Sequence, residues 1–170
     1  MPDRTLALLA EWRQHPDDQE DRSRRFTRWT KMLDSKRVDQ QAREAHAQVF
    51  SQLDCTKCAN CCRTLTVALE KSDIPRIASH LELSVADFRE RYVRVNEQGQ
   101  PEINAQPCPF LAESGACTIY AVRPKTCADF PHTNKRSFST RSWSHAVNSV
   151  DCPAVYHILE EMKRRLRYRE

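Results

Sequence analysis

The chain has 170 residues, of which 39% are hydrophobic by a count that includes eight cysteines and 29% are charged. That length suits one domain with an extension rather than two independent cores, and the small apolar share leaves a modest core for a metal or cross-link to reinforce. A net charge of +4 is too small to point to nucleic acid by itself, and with only two glycines, Gly99 and Gly115, the chain cannot build a P-loop or a Rossmann fingerprint.

In chain order, the amino terminus carries an apolar run of five residues, Leu6 to Ala10, which Glu11 ends. That is too short for a secretory leader, and no other stretch could span a bilayer, so a reducing cytoplasm is the expected compartment. Residues 3–14 and 20–53 read as helices. In the second, Phe26, Trp29 and Leu33, then Ala42, Ala45, Val49 and Leu53, recur at three- and four-residue steps. Residues 1–50 are therefore expected to be a helical arm whose outer face is a candidate surface for a protein partner, and residues 51–170 a cysteine-cluster domain with a carboxy-terminal helix.

Within that domain, "TLTVAL" alternates and is β-branched, which predicts a short strand at Thr64–Leu69. Ser72 can cap a helix running through Ile74 and Ile77 to Leu81, and Ser84 with Asp87 resembles an acidic capping box opening "VADFRERYV". Turns are expected around Gly99 and Gly115. From Pro107 to Pro131 four prolines punctuate a segment expected to be irregular and shaped by its ligands. A last helix should begin near Asp151, with Pro153 in its first turn and Val155, Ile158, Leu159, Met162 and Leu166 on one face. Its end, "KRRLRYR", reads as a solvated face whose cations complement the helix dipole. The expected fold class is α+β, mostly helical, with irregular cysteine-rich ligand loops: a small metal-stapled domain.

The chemistry concentrates in "CTKCANCC", residues 55–62. Two consecutive C-x-x-C steps, Cys55 to Cys58 to Cys61, let a turning backbone point three sulfurs inward, as at the start of an iron–sulfur ligand run or in half of a zinc site. Cys62 needs a second destination, because adjacent side chains diverge; a second metal or a redox partner thiol would serve. The remaining thiols suit ligation too. Cys108 is held between Pro107 and Pro109, Cys117 follows the Gly115 turn, Cys127 follows "RPKT", and Cys152 in the first turn of the last helix is expected to have its pKa lowered by free amides and the dipole. Eight metal ligands divided four and four are the expectation, with Lys57, Arg63, Arg123 and Lys125 near in sequence to offset their charge. His132 and His145 are candidate substitute ligands, whereas His15, His46, His80 and His157 have no ligand spacing.

Taken in order, "CTKCANCC", "CPFL" at 108–111, "CTIYAVRPKTCADFP" at 117–131 and "DCP" at 151–153 resemble the blocks of the YkgJ-like cysteine-cluster family of zinc- or iron-chelating domains. The resemblance covers roughly residues 52–155. It departs at Ala59, where glycine is common, and at Ala128, where an arginine often follows the cysteine. What it implies is metal chelation by the eight cysteines and a structural role for Tyr120, Arg123, Pro124, Phe130 and Pro131 in shaping the second ligand loop. Some larger proteins with this type of domain are lysine methylases acting on flagellin; this chain has no obvious extra region for a second substrate.

Three functions follow. The first is a cytoplasmic metal-binding protein whose cysteines hold zinc or an iron–sulfur centre required for the fold. The second is an iron–sulfur redox or radical enzyme, methylase-like by the resemblance. The third, a zinc-stapled nucleic-acid binder using the basic tail with Trp143 and Tyr168, is the weakest, since no recognition motif accompanies the spacing.

Overall fold

The computed structural model describes residues 3–169, which form two compact units: residues 3–58 with 131–169, and residues 59–130. These units are cut inside the cysteine motif, after Cys58, and again after Phe130, whereas the sequence blocks meet at residue 50. The chain is mostly helical with one two-stranded sheet, in keeping with the α+β expectation. Among the described residues no helix is long and apolar enough to cross a membrane.

The discontinuous unit is built from α1 (Thr5–Trp12), α2 (Gln19–Trp29), α3 (Ser35–Phe50), the single turn α4 (Cys55–Cys58), α9 (Ser142–Asp151) and α10 (Pro153–Leu166). The arm is not one long helix from residue 20 to 53. Leu33 is extended, and the Asp34 carboxylate accepts the Arg37 amide at 2.9 Å, so an N-cap starts α3 where a continuous apolar stripe suggested none. The expected face of α10 is correct: Val155, Ile158, Leu159, Met162 and Leu166 are buried, and α10 packs on α3, whose Val38, Ala42, Ala45 and Val49 are buried in turn. α2 has few apolar residues and meets α9 instead through small polar groups. Ser23 and Ser149 share a 2.8 Å hydrogen bond, and the Thr27 hydroxyl donates to the Ser142 carbonyl at 3.1 Å. α9 itself was not foreseen.

Before α9, residues 131–141 dock on α3: the Asp39 carboxylate accepts the Ser137 and Phe138 amides at 2.9 Å each, and His46 Nδ1 lies 2.9 Å from the Thr133 hydroxyl. His145, 1% exposed, stacks on Phe138 with ring centroids 4.2 Å apart, and among the described residues neither ring nitrogen has a partner of full hydrogen-bond geometry, the Phe138 backbone acting on the ring only weakly.

The continuous unit holds α5 (Asn60–Thr64), α6 (Asp73–His80), α7 (Val85–Tyr92), strands β1 (Val93–Val95) and β2 (Pro101–Ile103), and the short α8 (Lys125–Asp129). Its core is Leu69, Ile74, Ile77, Phe88, Ile103, Phe110 and Ile119. The expected strand at Thr64–Leu69 does not form. Residue 68 makes only an isolated bridge to Glu102, with the Leu69 amide donating to the Pro101 carbonyl at 2.9 Å, while the true hairpin pairs Val93 with Ile103 and Val95 with Pro101. The turn closing that hairpin is where glycine predicted it: Gly99 has φ of +76°, and Asn96 Oδ1 accepts the Gln98 and Gln100 amides. Ser84 caps α7 as expected, accepting the Asp87 amide at 3.0 Å, but Ser72 makes no side-chain cap.

His145 supplies a pH prediction. Burial above all, then the Arg141 and His132 charges, push its pKa from 6.5 down to about 3. The folded-state value lies below the unfolded one, so the unfolded chain takes up the proton first; the stability is present above about pH 6.5 and is lost as pH falls toward 3. His145→Phe, which keeps the stacking and removes two nitrogens that lack full hydrogen bonds, should raise stability at neutral pH by about 1 kcal/mol or more and flatten the acid limb in urea melts between pH 6.5 and 3.

Candidate metal centre

The eight thiols fall into separate neighbourhoods. In the continuous unit, Cys62 leaves α5, Cys108 follows the cis Gln106–Pro107 peptide, Cys117 ends a small loop and Cys127 lies in α8. The Cys108 amide donates to the Cys62 carbonyl at 2.8 Å, which ties the first ligand block to the second. Between Cys108 and Cys117 the chain doubles back. Leu111 bridges Cys117, the Thr118 amide reaches the Phe110 carbonyl at 2.9 Å, and Gly115, at φ of +85°, makes the turn that L side chains rarely adopt.

These four sulfurs feel one another. Cys127 is pushed up to about 12, first by burial and then by the charges of Cys62, Cys108 and Cys117, against a smaller opposing effect of Arg123. Burial also raises Cys108, whose sulfur accepts the Phe110 amide, and Cys117, whose sulfur accepts the Ile119 amide. Cys62 moves the other way, to about 7, because the Cys61 side chain donates to it and Arg63 lies close. Amides directed at sulfur are what a thiolate ligand requires, since they stabilise the charged form without competing for the metal.

In the discontinuous unit, α4 places Cys55 and Cys58 three apart on one turn, opened by Asp54, whose carboxylate accepts the Thr56 amide at 2.9 Å. The charges of both act on Cys152, which sits extended between α9 and α10. The expectation that the dipole lowers Cys152 is reversed. Its burial pushes it up to about 12, outweighing the Val155 and Ala154 amides that point at its sulfur. The Cys61 thiol hydrogen-bonds to Cys62, and Ala59 between them and Cys58 is buried in the left-handed conformation, φ of 51°. That backbone accounts for glycine being common at position 59 in the family that the motif resembles.

The donor chemistry fits a thiophilic metal: none of the eight sulfurs is in a disulfide, and the burial and nearby thiolate charges that hold Cys108, Cys117, Cys127 and Cys152 protonated are costs a bound cation would offset. Among the described residues no three His, Cys, Asp or Glu side chains are already gathered in a coordination shell, so closing the set and binding the ion would be one step. Among the described residues neither His132 nor His145 belongs to such a group.

One residue that sequence reasoning missed organises the second loop. Asp73 is fully buried and accepts the Glu70 amide at 2.8 Å, Arg76 Nη2 at 2.5 Å and the Lys125 amide at 3.2 Å; the last of these is at the start of the helix bearing Cys127. Arg76 also donates to the Arg123 carbonyl at 3.1 Å. An aspartate directly after a serine reads as an ordinary helix start, and only its bond to Lys125, 52 positions downstream, and that of its partner Arg76 to Arg123 reveal the role. Asp73→Asn should lower stability by about 2–4 kcal/mol in urea melts and speed hydrogen exchange at 125–129, because an amide cannot accept all three bonds in its place.

A family model named CxxCxxCC and described as "Putative zinc- or iron-chelating domain" matches residues 54–146, more than half of the chain. Comparison with solved structures finds no match. The matched segment begins one residue before Cys55 and holds seven of the eight cysteines, all but Cys152. With the model matching more than half of its length, the chain belongs to the CxxCxxCC family, described as zinc- or iron-chelating domains.

Proposed function

We propose that this protein is a cytoplasmic metal-binding protein whose eight cysteines hold zinc or an iron–sulfur centre, and that metal loading completes its fold. The observation that carries this reading is the family match over residues 54–146, supported by the Cys108 amide's 2.8 Å bond to the Cys62 carbonyl and by the charges of Cys62, Cys108 and Cys117 acting on Cys127. Thiols distributed for packing alone would not be drawn into one neighbourhood with amides aimed at their sulfurs. Cys55, Cys58 and Cys152 form a second group within the other unit, and Cys61 continues their C-x-x-C spacing along the chain.

Bound, the metal supplies a charge that lets the thiols ionise; an iron–sulfur centre would supply electron transfer as well. The residues of the chain do the rest. Burial excludes water from Cys152 and limits it at Cys127, the Phe110, Ile119, Ala154 and Val155 amides hold the sulfurs, and Asp73 fixes the loop that carries Cys127.

The grouping is testable through metal stoichiometry. Protein purified without oxygen should contain zinc, or iron with inorganic sulfide. Cys127→Ser and Cys152→Ser should each lose the metal of one set while retaining that of the other, and Cys62→Ser should behave as Cys127→Ser does. Unchanged stoichiometry in all three would contradict the assignment. Raising the pH of the metal-free protein gives a second readout. Folded pKa values near 12 for Cys127 and Cys152 lie above the ordinary value of 9, so stability present below pH 9 should be lost as pH rises toward 12.

A further inference from the structure

The end of α10 is more than the solvated face that "KRRLRYR" predicts. Arg167 takes the left-handed conformation, φ of 55°; its amide donates to the Arg164 carbonyl at 3.2 Å, and the Tyr168 amide to the Lys163 carbonyl at 2.9 Å. The last carbonyls of the helix are thereby met by the chain's own amides. The turn carries the Tyr168 ring back onto α2, 5.2 Å from the ring of the fully buried Phe26 and 5.1 Å from that of Trp29. Beside it lies an open hollow of about 480 Å³ lined by Glu160, Lys163, Arg164, Arg167, Tyr168 and Arg169. Lys163 donates to Glu160 at 2.7 Å and Arg164 to Glu161 at 2.5 Å, whereas among the described residues no carboxylate pairs with the exposed Arg167 and Arg169. The Trp29 contact also sets the end of α2 alongside, where Arg28 and Lys31 are exposed.

That combination selects among anions. Guanidinium groups grip phosphate oxygens in a planar, bidentate fashion. A half-buried tyrosine ring, fixed by two other rings, gives an unpaired base a surface to stack on with little ordering cost. An acidic peptide would use the charges and leave the ring idle, and a duplex would keep its bases stacked on one another. The hollow also falls in the range of about 300–1,000 Å³ of small-ligand sites. We propose that the end of α10, with the end of α2 beside it, binds single-stranded nucleic acid, with phosphates on Arg167 and Arg169 and a base on Tyr168. The overall charge of +4 conceals this because the surplus is local: residues 160–169 hold five basic side chains, Lys163, Arg164, Arg165, Arg167 and Arg169, against Glu160 and Glu161. The site uses none of the cysteines, so it stands apart from the metal reading.

The test is fluorescence anisotropy of a labelled oligo-uridylate of about 12 nucleotides with the full chain, purified without oxygen, over a series of salt concentrations. Binding should weaken steadily as salt rises. Arg167→Gln with Arg169→Gln should weaken it about tenfold at low salt and make the log–log salt slope shallower by about 1.4, since each phosphate contact on a single strand contributes about 0.7. Tyr168→Leu, which keeps an apolar side chain against Phe26 and Trp29, should also weaken binding about tenfold but leave the slope unchanged, because stacking releases no counterions. Tyr168→Phe should bind within about twofold of the parent. Arg89→Gln, on the exposed side of α7, removes a charge elsewhere and should bind as the parent does. Thermal melts check that each variant still folds. No binding of the strand at low salt would overturn the proposal, as would an unchanged affinity in the double arginine variant or in Tyr168→Leu. Polyglutamate or a duplex of the same length competing as well as the unlabelled strand would overturn it too, leaving a surface that reads charge alone.

Discussion

If Cys62, Cys108, Cys117 and Cys127 are ligands, a cation among them is what would let all four ionise near neutral pH, and residues 59–130 would be organised around that constraint. Without the cation, burial and mutual repulsion hold Cys127, Cys108 and Cys117 in their neutral forms. With it, the same proximity becomes an advantage, because each sulfur lowers the cost of collecting the next. A metal would be a further means of fixing 107–131, a segment rich in proline and poor in regular structure, beside its apolar contacts and the Asp73 bonds.

The scaffold around that set is economical. A compact cluster of Leu69, Ile74, Ile77, Phe88, Ile103, Phe110 and Ile119 carries the ligand loops, and Cys108 and Cys117 are themselves packed against it. Asp73 supplies what the apolar core cannot, a directional hold on the turn before Cys127. Its burial would be costly for an unpaired carboxylate, and three hydrogen bonds offset that cost. The same bonds bring the Arg123 carbonyl under control through Arg76.

Much of this was legible in the sequence where the signal is local. The C-x-x-C repeats, the Gly99 and Gly115 turns, the Ser84 cap and the apolar face of the last helix each depend on residues within a few positions of one another. What the sequence did not reveal depends on distant partners. Asp34 ends the continuity of the arm, although Phe26 through Leu53 keep a helical period across it, because one cap bond outweighs a pattern that tolerates a break. The strand expected at Thr64–Leu69 yields to the hairpin at Val93–Ile103, since strand propensity is realised only beside a partner. α9 was missed for a related reason: Ser142, Ser149 and His145 are buried in it, so its inner face is not an apolar stripe. At Cys152 the helix terminus argued for a lowered pKa and burial decided the opposite, because the dipole's effect is small beside full desolvation.

The central claim is that sulfur, and not nitrogen or oxygen, surrounds the metal. X-ray absorption at the zinc or iron edge of protein purified without oxygen tests it most directly. The account expects a first shell made of sulfur alone, at about 2.3 Å for zinc. A shell containing nitrogen or oxygen from the chain, or protein that folds fully while holding and taking up no metal, would contradict it.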